Sequence, residues 1–153
     1  MLTRMLQRCV VSFMLCLIGF IPRTIQSDEA PRSGQWLGKL TQEQGGYRQE
    51  YDFELYLTAK NDRYAGRTYV YAPNVLGVLS FTGQQRGAVL YLKEEELLIS
   101  RKPSDLSWCF KTMQLRQVKR GDDWYLEGPW QGTSEYGICI PGWLSLKYIP
   151  PKV

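Results

Sequence analysis

The chain has 153 residues and a formal charge of +4, but Arg4, Arg8 and Arg23 all fall within the first 26 positions, which hold no acid. The remaining 127 residues carry 16 basic against 15 acidic side chains, too near neutrality for a nucleic-acid binder. A chain of this size fits one domain with one core, and the absence of histidine removes the usual general base and the usual metal ligand.

Arg4 and Arg8 precede an uncharged apolar run at 9–21, which is followed by Pro22, Arg23 and the polar stretch Gln26, Ser27, Asp28 and Glu29. A basic start, a short apolar middle and a polar exit predict a secretory signal peptide over 1–26. At 13 residues the run falls short of the roughly 20 that span a bilayer. Asp28 and Glu29 before Ala30 make a poor cleavage motif, so an uncleaved N-terminal anchor is the alternative. Export would place the chain in the periplasm or outside the cell, not spanning a membrane once the signal is removed. Cys9 and Cys16 leave with the signal, and Cys109 and Cys139 remain. In an oxidising compartment these two suggest one disulfide, with two buried thiols as the other possibility. Residues 27–33 read as a flexible segment, 34–149 as the folded domain and 150–153 as a C-terminal tail.

From Gly34 onward the dominant period is two. In 47–59, Tyr47, Gln49, Tyr51, Phe53, Leu55 and Leu57 alternate with Arg48, Glu50, Asp52, Glu54, Tyr56 and Thr58. That pattern predicts a strand with one buried face. Turn signals such as Gly45-Gly46, Asn61-Asp62, Pro73-Asn74, Arg86-Gly87, Pro103-Ser104-Asp105, Gly121-Asp122 and the 133–137 stretch divide the domain into eight strands. Their expected bounds are 35–44, 47–59, 63–72, 75–85, 88–101, 106–119, 123–132 and 138–149. The short connections favour an antiparallel meander, and eight strands with one apolar face are best satisfied by an all-β, up-and-down eight-stranded β-barrel; an open sandwich is the main alternative. Acidic and basic residues on the polar face of 47–59 favour a water-facing exterior over a transmembrane barrel.

Gly34-Gln35-Trp36 at the first strand resembles the G-x-W opening of lipocalins and their calycin relatives, including avidin-like barrels. Ala65-Gly66, Phe81-Thr82-Gly83 and the stretch 126–132 (LEGPWQG) are of similar flavour. The resemblance extends over essentially all of 34–149 and implies a fold more than an activity. The T-D-Y turn and C-terminal helix of lipocalins are missing, as is a biotin-binding set. Trp108-Cys109-Phe110-Lys111 and Cys139-Ile140-Pro141-Gly142 are similar to small barrel modules of exported bacterial proteins.

Parity sends Trp36, Tyr51, Phe53, Phe81, Trp124 and Trp130 into the barrel, where they are the candidate ligand-binding residues. Gly38, Gly66, Gly83, Gly128 and Gly132 either leave interior volume beside these rings or relieve strain where strands coil. Strict alternation from Leu90 sends Glu94 inward while Leu97 and Ile99 require a register change, so a bulge is expected near 94–96. Lys111 on the facing strand is the partner for Glu94 in an interior charge pair. No G-x-S-x-G, Walker loop, C-x-x-C or H-E-x-x-H occurs, and no catalytic residue, cofactor or metal site is predicted. Two functions follow. One is binding of a small apolar or aromatic ligand without transforming it. The other is an envelope interaction module with a solid barrel and protein-contacting rim loops around Tyr136 and Trp143, including a periplasmic protease-inhibitor-like variant with 28–33 as the inserted arm.

Overall fold

The computed structural model describes residues 25–26 and 29–152. The rest of the expected signal, with Cys9 and Cys16, and residues 27, 28 and 153 lie outside the described residues. In chain order the strands are β1 (Ile25–Gln26), β2 (Gly34–Gln42), β3 (Glu50–Lys60), β4 (Arg63–Ala72), β5 (Val75–Arg86), β6 (Val89–Arg101), β7 (Phe110–Arg120), β8 (Asp123–Ser134), β9 (Gly137–Ile138) and β10 (Gly142–Ile149). The described residues contain no helix.

Strands β2 to β8 each pair antiparallel with the next, β8 pairs with β10, and β10 returns to β2. The result is a closed, antiparallel, eight-stranded up-and-down barrel, the architecture that the calycin-like resemblance implies. Closure removes most of the free edge; the β6–β7 seam is the short one, pairing only from Leu90 to Lys93 of β6. β1, inside the expected signal, pairs with Val118 and Lys119 of β7.

Alternation explains the core. Tyr51, Phe53, Leu55 and Leu57 of β3 are buried, as are Trp36 and Leu40 of β2, Leu79 and Phe81 of β5, Leu126 and Trp130 of β8, and Leu144 and Leu146 of β10. The outer walls carry charge ladders: Lys39 reaches Glu50 at 3.0 Å and Asp52 at 2.7 Å, and Lys147 reaches Asp123 at 2.7 Å. The glycines resolve toward coiling rather than volume. A Cβ on Gly66 would run into the Tyr56 carbonyl, and one on Gly128 into the Gln114 carbonyl, so both let neighbouring strands approach closely.

Several expected bounds are corrected. Residues 106–109 are not strand, and β7 begins only at Phe110. The last strand begins at Gly142, because Pro141 has no N–H to give to a ladder and its carbonyl instead accepts from Glu43 at 2.9 Å. Residues 43–49 form a loop, since pairing between β2 and β3 stops at Thr41 and Glu50. At β5–β6 there are two register shifts: Phe81 faces Glu94 while Ser80 faces Glu96, and Leu79 faces Leu97 while Val78 faces Ile99.

Candidate functional site

The two ends of the barrel are built differently. One end holds the two-residue turns after β3, β5 and β7, with Asn61 and Asp62 at φ 50° and 60° and Gly87 and Gly121 near 58°. Such left-handed residues match the twist of tight hairpins. Residues 31–33 fold across this end. Pro31 is buried, the Arg32 amide donates to Gln117 Oε1 at 3.0 Å, and Trp36 Nε1 donates to the Arg32 carbonyl at 3.0 Å. The Arg32 guanidinium lies 4.8 Å from the Trp124 ring centroid. Trp124 thus sits at the closed end, half-buried under Arg32 and Lys119. Gln117 Nε2 beneath this plug is buried without a hydrogen-bond partner.

The other end carries the long connections 43–49, 102–109 and 135–141, and it holds a cavity of about 260 Å³. Its deeper wall is Leu40, Tyr51, Val70, Lys111 and Trp130, all buried. Trp108, Cys109 and Cys139 line it above, and Tyr47, Ile138 and Ile140 stand toward the opening. A wider hollow of about 960 Å³ lies outside the barrel among exposed residues such as Thr58, Ala65, Thr82 and Lys93. The smaller cavity differs in having Leu40, Tyr51, Val70, Lys111 and Trp130 of the barrel interior in its wall.

Each wall has a local cause. The 102–109 connection turns back over the mouth, so Trp108 packs against Gly77, where a Cβ would meet its ring, and donates from Nε1 to Ser100 Oγ at 2.7 Å. Trp130 Nε1 donates to the Thr41 carbonyl at 2.9 Å. Cys109 and Cys139 form a disulfide with Cα atoms 6.2 Å apart, and the Cys139 amide donates to the Gly132 carbonyl at 2.9 Å. Burial pushes the Tyr51 phenol above its ordinary pKa, which keeps it neutral and a hydrogen-bond donor near pH 7.

Beneath the cavity lies a buried charge cluster. Glu94 continues the inward alternation of Leu90 and Leu92, the bulge in β6 follows it, and Glu95 and Glu96 are exposed. Glu94 and Lys111 are 2% and 4% exposed, and Lys111 Nζ stands 2.9 Å from Glu94 Oε2. The Lys111 amide donates to the same oxygen at 2.8 Å, and Thr68 Oγ1 donates to Oε1 at 2.5 Å. Nζ also donates to the Cys109 carbonyl at 3.1 Å. Burying two charges is costly unless the remaining lone pairs and protons are satisfied, and here the carboxylate is satisfied on both oxygens.

Of the six aromatic residues singled out by parity, the structure brings Tyr51 and Trp130 to the cavity. Trp36, Phe53 and Phe81 are packed within the core, and Trp124 is at the opposite end. Trp108 and Ile140 escape sequence reasoning because they belong to loops, whose folding over the mouth leaves no periodic signal, and Tyr47, which the alternation of 47–59 assigns to a strand, belongs to the 43–49 loop. The tryptophan directly preceding Cys109 was the available hint. Among the described residues no group of three His, Cys, Asp or Glu is placed to hold a metal ion. No family model, no curated protein and no solved structure matches this chain.

Proposed function

We propose that the protein is an exported binder of a small apolar or aromatic molecule, which it holds at the disulfide end of the barrel without transforming it. The observation that carries this reading is the cavity of about 260 Å³ lined by Trp108, Trp130, Tyr51, Leu40 and Val70. An apolar void of roughly 150 Å³ accommodates benzene, so this one suits one or two fused rings. The mouth of a small β-barrel is a common place for such a site. Export is supported by the basic and apolar pattern of 1–26 and by the disulfide. The charged outer walls favour a barrel that faces water, and the eight-stranded up-and-down architecture is consistent with a calycin-like plan.

Tryptophan fluorescence tests the reading, because Trp108 and Trp130 both line the cavity. A panel of small hydrophobic compounds is expected to shift emission for at least one member, and Trp108→Ala is expected to weaken that response. A flat response across the panel would overturn it. N-terminal sequencing of the exported protein is expected to find a start near residue 27, and retention of Met1 would favour the anchor.

A second reading has its own observation. Tyr136 and Ile138 are 85% and 89% exposed beside the same mouth, which suits a protein-contacting rim. The arm proposed for protease inhibition is less favoured, since Pro31 and Arg32 are engaged by the barrel's closed end.

A further inference from the structure

The ammonium of Lys111 has three N–H donors. Glu94 Oε2 at 2.9 Å and the Cys109 carbonyl at 3.1 Å use two of them. The Phe53 ring, with its centroid 5.9 Å from Nζ, is at the outer limit of a cation–π contact and supplies no lone pair. Lys111 lines the cavity, whereas Glu94 lies behind it and does not. A ligand therefore meets the ammonium first, with a counter-ion already in place.

We infer that the cavity selects an uncharged, flat apolar molecule that presents a hydrogen-bond acceptor to Lys111 Nζ, and that Glu94 is the internal counter-ion which turns away carboxylates. The inference rests on the ligand-binding reading above and adds the ligand's chemical class. A neutral acceptor, such as a ketone or ether oxygen, needs only the spare N–H. Its own desolvation is modest, and a charge-assisted hydrogen bond in a low-dielectric pocket repays it. A carboxylate would have to give up far more hydration. It would also be brought close, behind the ammonium, to the Glu94 carboxylate, which Thr68 and the Lys111 amide hold in place by hydrogen bonds. The site so built discriminates in two ways, attracting a neutral acceptor through the spare N–H and repelling a carboxylate through the counter-ion already paired inside it.

The test uses the full chain with its disulfide intact and three matched probes: 2-ethylnaphthalene, 2-acetylnaphthalene and 2-naphthoate, titrated by calorimetry. The ketone is expected to bind at least fivefold more tightly than the hydrocarbon, and the carboxylate more weakly than either. In the double variant Glu94→Gln with Lys111→Met, which removes both charges together, the preference for the ketone is expected to fall to unity or below. In Glu94→Gln alone the ammonium loses its counter-ion, and 2-naphthoate is expected to gain tenfold or more. That gain keeps the test decisive if the double variant does not fold. Binding of hydrocarbon and ketone with equal affinity overturns this inference and leaves the ligand-binding reading standing. So does an unchanged naphthoate affinity in Glu94→Gln. No binding by any of the three overturns both.

Discussion

The two ends of this barrel solve the same problem in opposite ways. At the closed end, two-residue turns join β3 to β4, β5 to β6 and β7 to β8, and the chain's own Pro31 and Arg32 cover Trp36 and Gln117. At the other end only the 73–74 turn is as short, the three other connections are longer, a cavity remains, and a covalent cross-link joins the segment before β7 to the segment after β9. The comparison teaches where stability and function are separated. Short turns close an end with local backbone preference and core packing, while an end that keeps a cavity forgoes those contacts and gains constraint from a disulfide.

The strongest way to break the closed end is Trp36→Ala. Trp36 is fully buried, its indole N–H is bonded to Arg32, and its ring lies 5.0 Å from that of Tyr148. Truncation of such a side chain costs about 3–5 kcal/mol, a large share of a small domain's total. Urea denaturation is expected to show a midpoint lowered accordingly. A change under ~1 kcal/mol would show that the plug is not packed in solution.

The matching perturbation at the open end is Cys109→Ser with Cys139→Ser. The two cysteines are separated by 30 positions, for which the chain-entropy model gives about 3–4 kcal/mol. Hydrogen exchange sharpens the comparison. Amides in 102–109 and 135–141 are expected to lose protection ahead of those flanking the turns at 61–62, 87–88 and 121–122. Equal loss at both ends would mean that the disulfide stabilises the whole barrel rather than the cavity's rim.

The barrel was legible because its cause is local and repeated. Alternation in 47–59 marked the buried face of β3, and the turn pairs at 61–62, 73–74 and 121–122 sit between strands in the structure. The inward Glu94 and the bulge after it also left a trace, since Leu97 breaks the parity set by Leu90 and Leu92. Ile99, expected inward by the same argument, faces Val78 beyond a second register shift and is 52% exposed. The cavity was less legible. Its upper wall is made by Trp108 and by residues 138–140, which alternate with nothing and take their places only when loops fold over the mouth. Expecting strand at 106–109 and 138–141 hid this, because a residue assigned to a wall cannot be imagined as a lid.

A smaller effect probes the outside of the closed half. Arg120 on β7 donates to both carboxylate oxygens of Glu127, at 2.7 and 2.5 Å, and Ser145 Oγ donates at 2.9 Å. The Arg120 guanidinium holds the Glu127 carboxyl below its ordinary pKa. A carboxyl with a lowered folded pKa contributes stability above its unfolded pKa and loses it as pH falls through the folded value. Glu127→Gln is therefore expected to lower stability by about 0.5–1 kcal/mol at neutral pH, and the difference from the parent to vanish in acid. Denaturation curves across pH measure it, and a difference that persists in acid would assign the loss to packing instead of charge.

The smallest expected effects lie on the rim of the open end, where exposure and function come apart. Tyr136 and Ile138 are the two most exposed large hydrophobic side chains among the described residues, yet only Ile138 borders the cavity. Neither buries enough surface to support the fold, so Tyr136→Ser and Ile138→Ser are each expected to change stability by less than about 0.5 kcal/mol. Ligand titration should separate them. Ile138→Ser is expected to weaken binding a few-fold by wetting the mouth, while Tyr136→Ser leaves it unchanged. A Tyr136→Ser variant with the larger loss of affinity would mean that the 135–141 loop closes further over the titrated compound than its position in this structure, and the open end would then be a moving lid rather than a fixed mouth.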